Sequence, residues 1–76
     1  MSPDKLVYMA NQIGRFFAHR PEARAAADTA DHLRKFWDPR MRKAIIDHVD
    51  GGGTGLQPVA LLAVNSLKVE KVDETR

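Results

Sequence analysis

The sequence predicts an all-α protein: a small bundle of three to four short helices, each started by a proline, with a Gly-rich loop before the last helix. Three observations carry this reading. Pro3, Pro21, Pro39 and Pro58 lie 18, 18 and 19 residues apart, and proline suits a first helical turn because its missing N–H would go unpaired there anyway. Downstream of each proline, apolar residues recur at the three-and-four spacing of a helix with one buried stripe. No segment alternates with the period of two that a strand requires.

The first helix is expected from Pro3 to about Ala18 (3–18), capped by Ser2, with a stripe of Leu6, Met9, Ala10, Ile13, Phe16 and Phe17. Val7 and Tyr8 fall off that stripe. The second, 21–37, carries Ala23, Ala26, Ala27, Ala30 and Leu33, small side chains that favour helix and let a neighbour approach closely. A sharp turn at Trp37 and Asp38 leads into the third, 39–49, with Asp38 as its cap and Met41, Ala44, Ile45, His48 and Val49 on one face. Gly51, Gly52, Gly53 and Gly55 end it, and four glycines read as a flexible linker that lets the last helix swing away. That last helix, 58–67, is apolar at every position from Val59 to Val64, so it is either wrapped by its own domain or laid on another protein. Residues 1–68 form the single domain. A flexible tail is expected at 69–76, where charges alternate around two isolated valines.

Composition narrows the chemistry. With 76 residues there is room for one domain and a small core, and 43% apolar against 29% charged residues is a globular balance. The absence of cysteine removes disulfides, iron–sulfur ligation, thiolate zinc sites and thiol nucleophiles together. The longest apolar run is six residues, far from the ~20 that span a bilayer, and the amino terminus has no signal-peptide pattern. A cytoplasmic protein is expected. The net charge is +2, but it is skewed: Arg15 to Lys43 holds eight basic and four acidic residues, Ala44 to Arg76 three and five. The basic middle suits an acidic protein face better than a nucleic acid.

No catalytic or metal-ligating residue is assigned. His19, His32 and His48 have no spacing that puts two imidazoles on one side of a helix. Ser2 and Ser66 have no reason to meet a histidine and a carboxylate, and the glycine run lacks the preceding strand and following Gly-Lys-Ser/Thr of a phosphate loop. The chemistry concentrates instead in Phe36-Trp37-Asp38-Pro39-Arg40-Met41-Arg42, whose aromatics and arginines have the composition of a protein-binding hot spot. The same aromatics could equally form the domain's own core. A mixed arrangement is expected, with Phe36 and Met41 inward, Trp37 at the border and Arg40 outward. Phe16 and Phe17 point about 100° apart on a helix, so one of them needs a second surface.

Lys5-Leu6-Val7-Tyr8-Met9-Ala10-Asn11-Gln12-Ile13-Gly14-Arg15-Phe16-Phe17, followed by His32-Leu33-Arg34-Lys35-Phe36-Trp37-Asp38-Pro39-Arg40-Met41-Arg42, resembles the delta subunit of NAD-dependent formate dehydrogenase. Leu56, ahead of a proline-started helix with Ala63 and Leu67, is similar to that family's closing segment. The resemblance implies a non-catalytic accessory subunit of a cytoplasmic complex that oxidises formate to carbon dioxide and reduces NAD⁺. It implies a large alpha subunit carrying a molybdenum or tungsten pterin centre and iron–sulfur clusters, and beta and gamma subunits carrying FMN and further clusters. No cofactor is implied in this chain. On that basis Phe17, Trp37, Arg40 and Arg42 are the expected contacts with the alpha subunit, with Asn11 and Gln12 offering hydrogen bonds. The alternative is a small helical nucleic-acid-binding protein using Arg40, Arg42 and Lys43 at the start of helix three.

Overall fold

A computed structural model describes residues 2–74, with side chains described as far as Val69. Four helices follow in order: α1 (Pro3–Phe16), α2 (Glu22–Phe36), α3 (Pro39–Asp50) and α4 (Pro58–Glu74). There is no strand among the described residues.

Local chemistry fixes the helix starts. Ser2 is extended and its hydroxyl accepts from the Lys5 N–H at 3.3 Å, with Pro3 in the first turn of α1. Asp38 does the same for α3, its carboxylate accepting from the Met41 N–H at 2.9 Å ahead of Pro39. Pro21 stands one residue earlier relative to its helix than expected: it is the N-cap of α2, with no side-chain cap. Ahead of this uncapped start, the Arg20 Nε lies 3.4 Å from the Asp28 carboxylate, nearly two turns into α2.

The core joins all four helices: Leu6, Val7 and Ala10 of α1, Ala30 and Leu33 of α2, Trp37, Ile45 and Ile46 of α3 and its approach, and Ala60, Ala63, Val64 and Leu67 of α4. The two sequence alternatives for the last helix resolve in favour of home. α4 packs on α1, α2 and α3, most extensively on α2, where Ala25, Ala26 and Ala30 leave room for a second backbone. With neighbours on three sides, the first turns of α4 bury Ala60, Ala63 and Val64, while Leu62 in the same apolar run stays 43% exposed. Thr29 is the one buried polar residue in the described chain; its hydroxyl donates to the Ala25 carbonyl at 2.8 Å and so leaves nothing unpaired.

Three expectations need correction. On α1 the buried stripe is Leu6, Val7, Ala10 and Gly14, and Phe16 is 73% exposed. Gly14 lies against α4 on that buried side: a Cβ there would stand 3.4 Å from Val59 Cγ1 and 3.5 Å from the Ala60 nitrogen, an ordinary contact. The arc that packs on the other helices is centred between Leu6 and Val7, which places Val7 inward and Phe16 outward. On α2, Ala23 and Ala27 are exposed and Ala25 takes a buried place.

The second correction concerns the corner: Trp37 is 6% exposed and Phe36 71%. The α2 stripe Ala26, Ala30, Leu33 advances by four to Trp37, so the tryptophan continues the buried line and Phe36 points away from it. Met41 packs against the core as expected, and Arg40 is exposed.

The third is the glycine loop, which is not a slack tether. The Asn11 side chain grips it twice, donating to the Gly55 carbonyl at 2.9 Å and accepting from the Gln57 N–H at 2.9 Å. The His48 ring bonds the Thr54 carbonyl at 2.7 Å. Gly53 donates to the His48 carbonyl at 2.9 Å and is buried at φ 67°, a conformation in which a Cβ costs about 1–2 kcal/mol. These bonds tie the loop to α1 through Asn11 and to α3 through His48. As described, α4 also continues to Glu74 instead of ending near Leu67, while side chains beyond Val69 and residues 75 and 76 of the expected tail lie outside the described residues.

Candidate protein-binding surface

With the core closed by aliphatic residues and Trp37, the remaining aromatics are left outside. Tyr8 is 62% exposed, and with Phe16 and Phe36 it makes three large rings facing solvent on a small molecule. They form two patches.

The first is the outer face of α1. At 100° per residue, Asp4, Lys5, Tyr8, Gln12, Arg15 and Phe16 occupy one arc of about 120°, and all six are exposed. The remaining arc packs on α2, α3 and α4. Gln12 donates its side-chain amide to the Tyr8 hydroxyl at 2.9 Å, and Phe17, half-buried at the helix end, meets Phe16 edge-on with ring centres 5.0 Å apart. Both exposed rings are thus steadied by a neighbour.

The second patch is the α2–α3 corner. Phe36 lies against the His32 ring, 4.6 Å between centres. Below it, the Arg42 guanidinium donates to the Arg34 carbonyl at 2.9 Å, pinning α3 to the last turn of α2. Arg40 projects from the first turn of α3 with no hydrogen bond or ion pair among the described residues.

The residues expected from sequence are therefore divided by role. Gln12, Phe17 and Arg40 stand at the surface; Asn11 is spent on the glycine loop, Arg42 on the corner, and Trp37 on the core. The sequence reading set Tyr8 off the buried stripe without naming it as a contact, and it placed Phe16 and Phe36 inward. The i+4 step from Leu33 to Trp37 was a legible signal for Phe36, whereas the roll of α1 against the other helices was not.

Charge separates the two faces further. Lys35 pairs with Asp31 at 3.1 Å, Lys43 with Asp47 at 2.9 Å, and Lys68 with Asp50. Such exposed pairs add little stability, but they do occupy the cations. Of the three basic residues expected to open a nucleic-acid-reading helix, only Arg40 is left unengaged, since Arg42 and Lys43 are bonded within the chain.

Small-molecule chemistry finds little support. A cleft of about 180 Å³ lies between the end of α1 and the start of α4, lined by Asn11, Gly14, Arg15 and Val59 among others, below the ~300 Å³ at which ligand pockets begin. Among the described residues no three His, Cys, Asp or Glu side chains are placed to hold a metal ion. No described helix is long and apolar enough to cross a membrane.

The fold and surface describe a small all-α protein whose best-developed feature is exposed aromatic and basic side chains. Comparison with known families makes this specific: the model of the family FdsD, the NADH-dependent formate dehydrogenase delta subunit, matches residues 5–64. The chain belongs to that family, and is an accessory subunit of a formate dehydrogenase. No curated protein and no solved structure matched it.

Proposed function

We propose that this chain is a non-catalytic subunit that docks on the alpha subunit of a cytoplasmic NAD-dependent formate dehydrogenase and favours its assembled, cofactor-loaded form. The observation that carries the proposal is three aromatic side chains left outside a core that closes without them. Exposed rings of this kind anchor protein interfaces, because they bury large area and lose little side-chain entropy. Family membership supplies the partner: a delta subunit implies an enzyme to which it belongs.

The division of labour follows the residues. Gln12 and Phe17 contribute beside the anchors Tyr8 and Phe16 on α1, and Arg40 and Phe36 form a second candidate patch at the α2–α3 corner. Asn11 ties α1 to the loop before α4, Arg42 ties α3 to α2, and Trp37 fills the core beneath the corner. The redox groups of the complex, a molybdenum or tungsten pterin, iron–sulfur clusters and FMN, sit in the alpha, beta and gamma chains. With no cysteine, this chain has no thiolate to offer a cluster.

Thermodynamic linkage gives the effect. A subunit that binds only the loaded alpha chain stabilises that form by about 2.7 kcal/mol at a hundredfold excess over Kd. Removing this chain from its host tests the proposal. Formate-dependent NADH formation and the pterin metal retained per alpha chain should both fall, and both should return when the chain is supplied again. Unchanged metal content and activity would reject it.

A further inference from the structure

We infer that the outer face of α1, centred on Tyr8, Gln12 and Phe16 and flanked by Lys5 and Arg15, is the face that docks on the large subunit, and that it meets an apolar depression bordered by carboxylates. The inference rests on the reading above and goes beyond it by assigning the surface and the chemistry of its counterpart.

Two observations select this face over the α2–α3 corner, and a third bears on its occupant. First, the α1 face carries two exposed rings, Tyr8 and Phe16, where the corner carries one, Phe36. Each is steadied by a neighbour, Tyr8 by Gln12, Phe16 by Phe17 and Phe36 by His32, and rings already fixed in place lose less freedom on binding.

Second, the α1 face carries two cations whose side chains have no hydrogen bond or ion pair among the described residues, Lys5 and Arg15, where the corner carries one, Arg40; Arg20, Lys35, Lys43 and Lys68 each pair with a carboxylate of this chain. The one acid on the arc, Asp4, lies in the first turn of α1, where the positive end of the helix dipole accounts for it. Two cations without internal partners beside two bare rings call for acidic groups on the other side.

Third, the face is too small to pair with itself. α1 has 14 residues, a length of about 21 Å, and a single helix arc of that length falls well short of the ~800 Å² per partner of a standard interface. A two-fold pairing would also bring the Lys5 and Arg15 of each copy toward those of the other. A larger, acidic partner avoids the second difficulty through its charge and the first by reaching past α1 onto neighbouring surface, since the rest of the helix packs on α2, α3 and α4.

The test uses the full chain, tagged, expressed with the other subunits in its native host, and measures the amount of large subunit recovered at low and at high salt. Two variants carry it: Tyr8→Ala with Phe16→Ala, and Lys5→Glu with Arg15→Glu. All four positions are exposed, so helix content by circular dichroism should match the wild type. The ring variant should lower recovery roughly tenfold or more, as loss of interface anchors does. The charge variant should lower it at low salt, with wild type and variant converging as ionic strength rises. Lys35→Glu with Lys43→Glu makes the same change in net charge elsewhere and should leave recovery as in the wild type.

Full recovery with both α1 variants would overturn the inference while leaving the subunit reading intact. So would a wild-type homodimer that the ring variant dissociates, or equal loss with the Lys35 and Lys43 reversals. If the wild-type chain itself recovers no large subunit, the subunit reading fails and the inference falls with it.

Discussion

Asn11→Ala is the most informative single change to the fold, because one side chain holds together segments 44 and 46 residues away. Its amide donates to the Gly55 carbonyl and its oxygen accepts from the Gln57 N–H, both at 2.9 Å. A neutral hydrogen bond contributes about 0.5–1.5 kcal/mol net. Gly55 and Gln57 are exposed, so water can replace part of what is lost, and the pair together should cost about 1.5 kcal/mol. For a domain of this size, that lowers Tm by about 6–12 °C. Thermal unfolding followed at 222 nm gives the shift. Amide exchange gives the location: the Gln57 N–H should exchange faster in the variant than in the wild type, beyond the general loss of protection. A variant that melts within about 2 °C of wild type, with Gln57 exchange unchanged, would show that the loop holds itself and that the clamp is incidental.

Other substitutions test the packing account. Leu33→Ala, at a fully buried position, should cost about 2–5 kcal/mol in urea unfolding, a large share of the ~4–11 kcal/mol available to a chain of this length. Phe36→Ala, three residues on, should stay within about 0.5 kcal/mol of wild type, since the ring faces solvent; equal losses at the two positions would contradict the assigned helix phase. Gly14→Ala places its Cβ at ordinary contact distance from Val59 and removes a mid-helix glycine, so the melting point should rise or hold, with up to about 1 kcal/mol to gain. Gly53→Ala should lose about 1–2 kcal/mol from its positive φ, with the Cβ meeting the flexible tip of Leu61 at 3.2 Å; an unchanged melting temperature would mean that the turn relaxes.

How far the sequence reaches depends on whether the deciding interaction is local. Proline positions and the Ser2 and Asp38 caps act within one turn, and the four helices follow from them to within a few residues at most ends. The place of Trp37 was also written locally, as the next i+4 step after Leu33. What escapes a linear reading is long-range. The roll of α1 is set by its packing on the other three helices, with Gly14 lying against Val59 and Ala60, 45 and 46 residues downstream, and that roll leaves Phe16 facing solvent. Likewise, four glycines within five residues read as slack until Asn11, far upstream, is seen to hold the end of the loop at Gly55 and Gln57. The candidate surface was visible as a composition of aromatic and basic residues, but its membership was set by these distant contacts.

The central claim is that this chain works only when joined to a larger formate-oxidising protein. The most direct measurement is purification of the tagged chain from its native host under gentle conditions, with the mass, metal content and formate-oxidising activity of the eluate determined together. The account predicts one stable assembly in which the chain co-elutes with a large molybdenum- or tungsten-containing polypeptide that oxidises formate. Elution of the chain alone, while the formate-oxidising activity runs elsewhere intact, would contradict it.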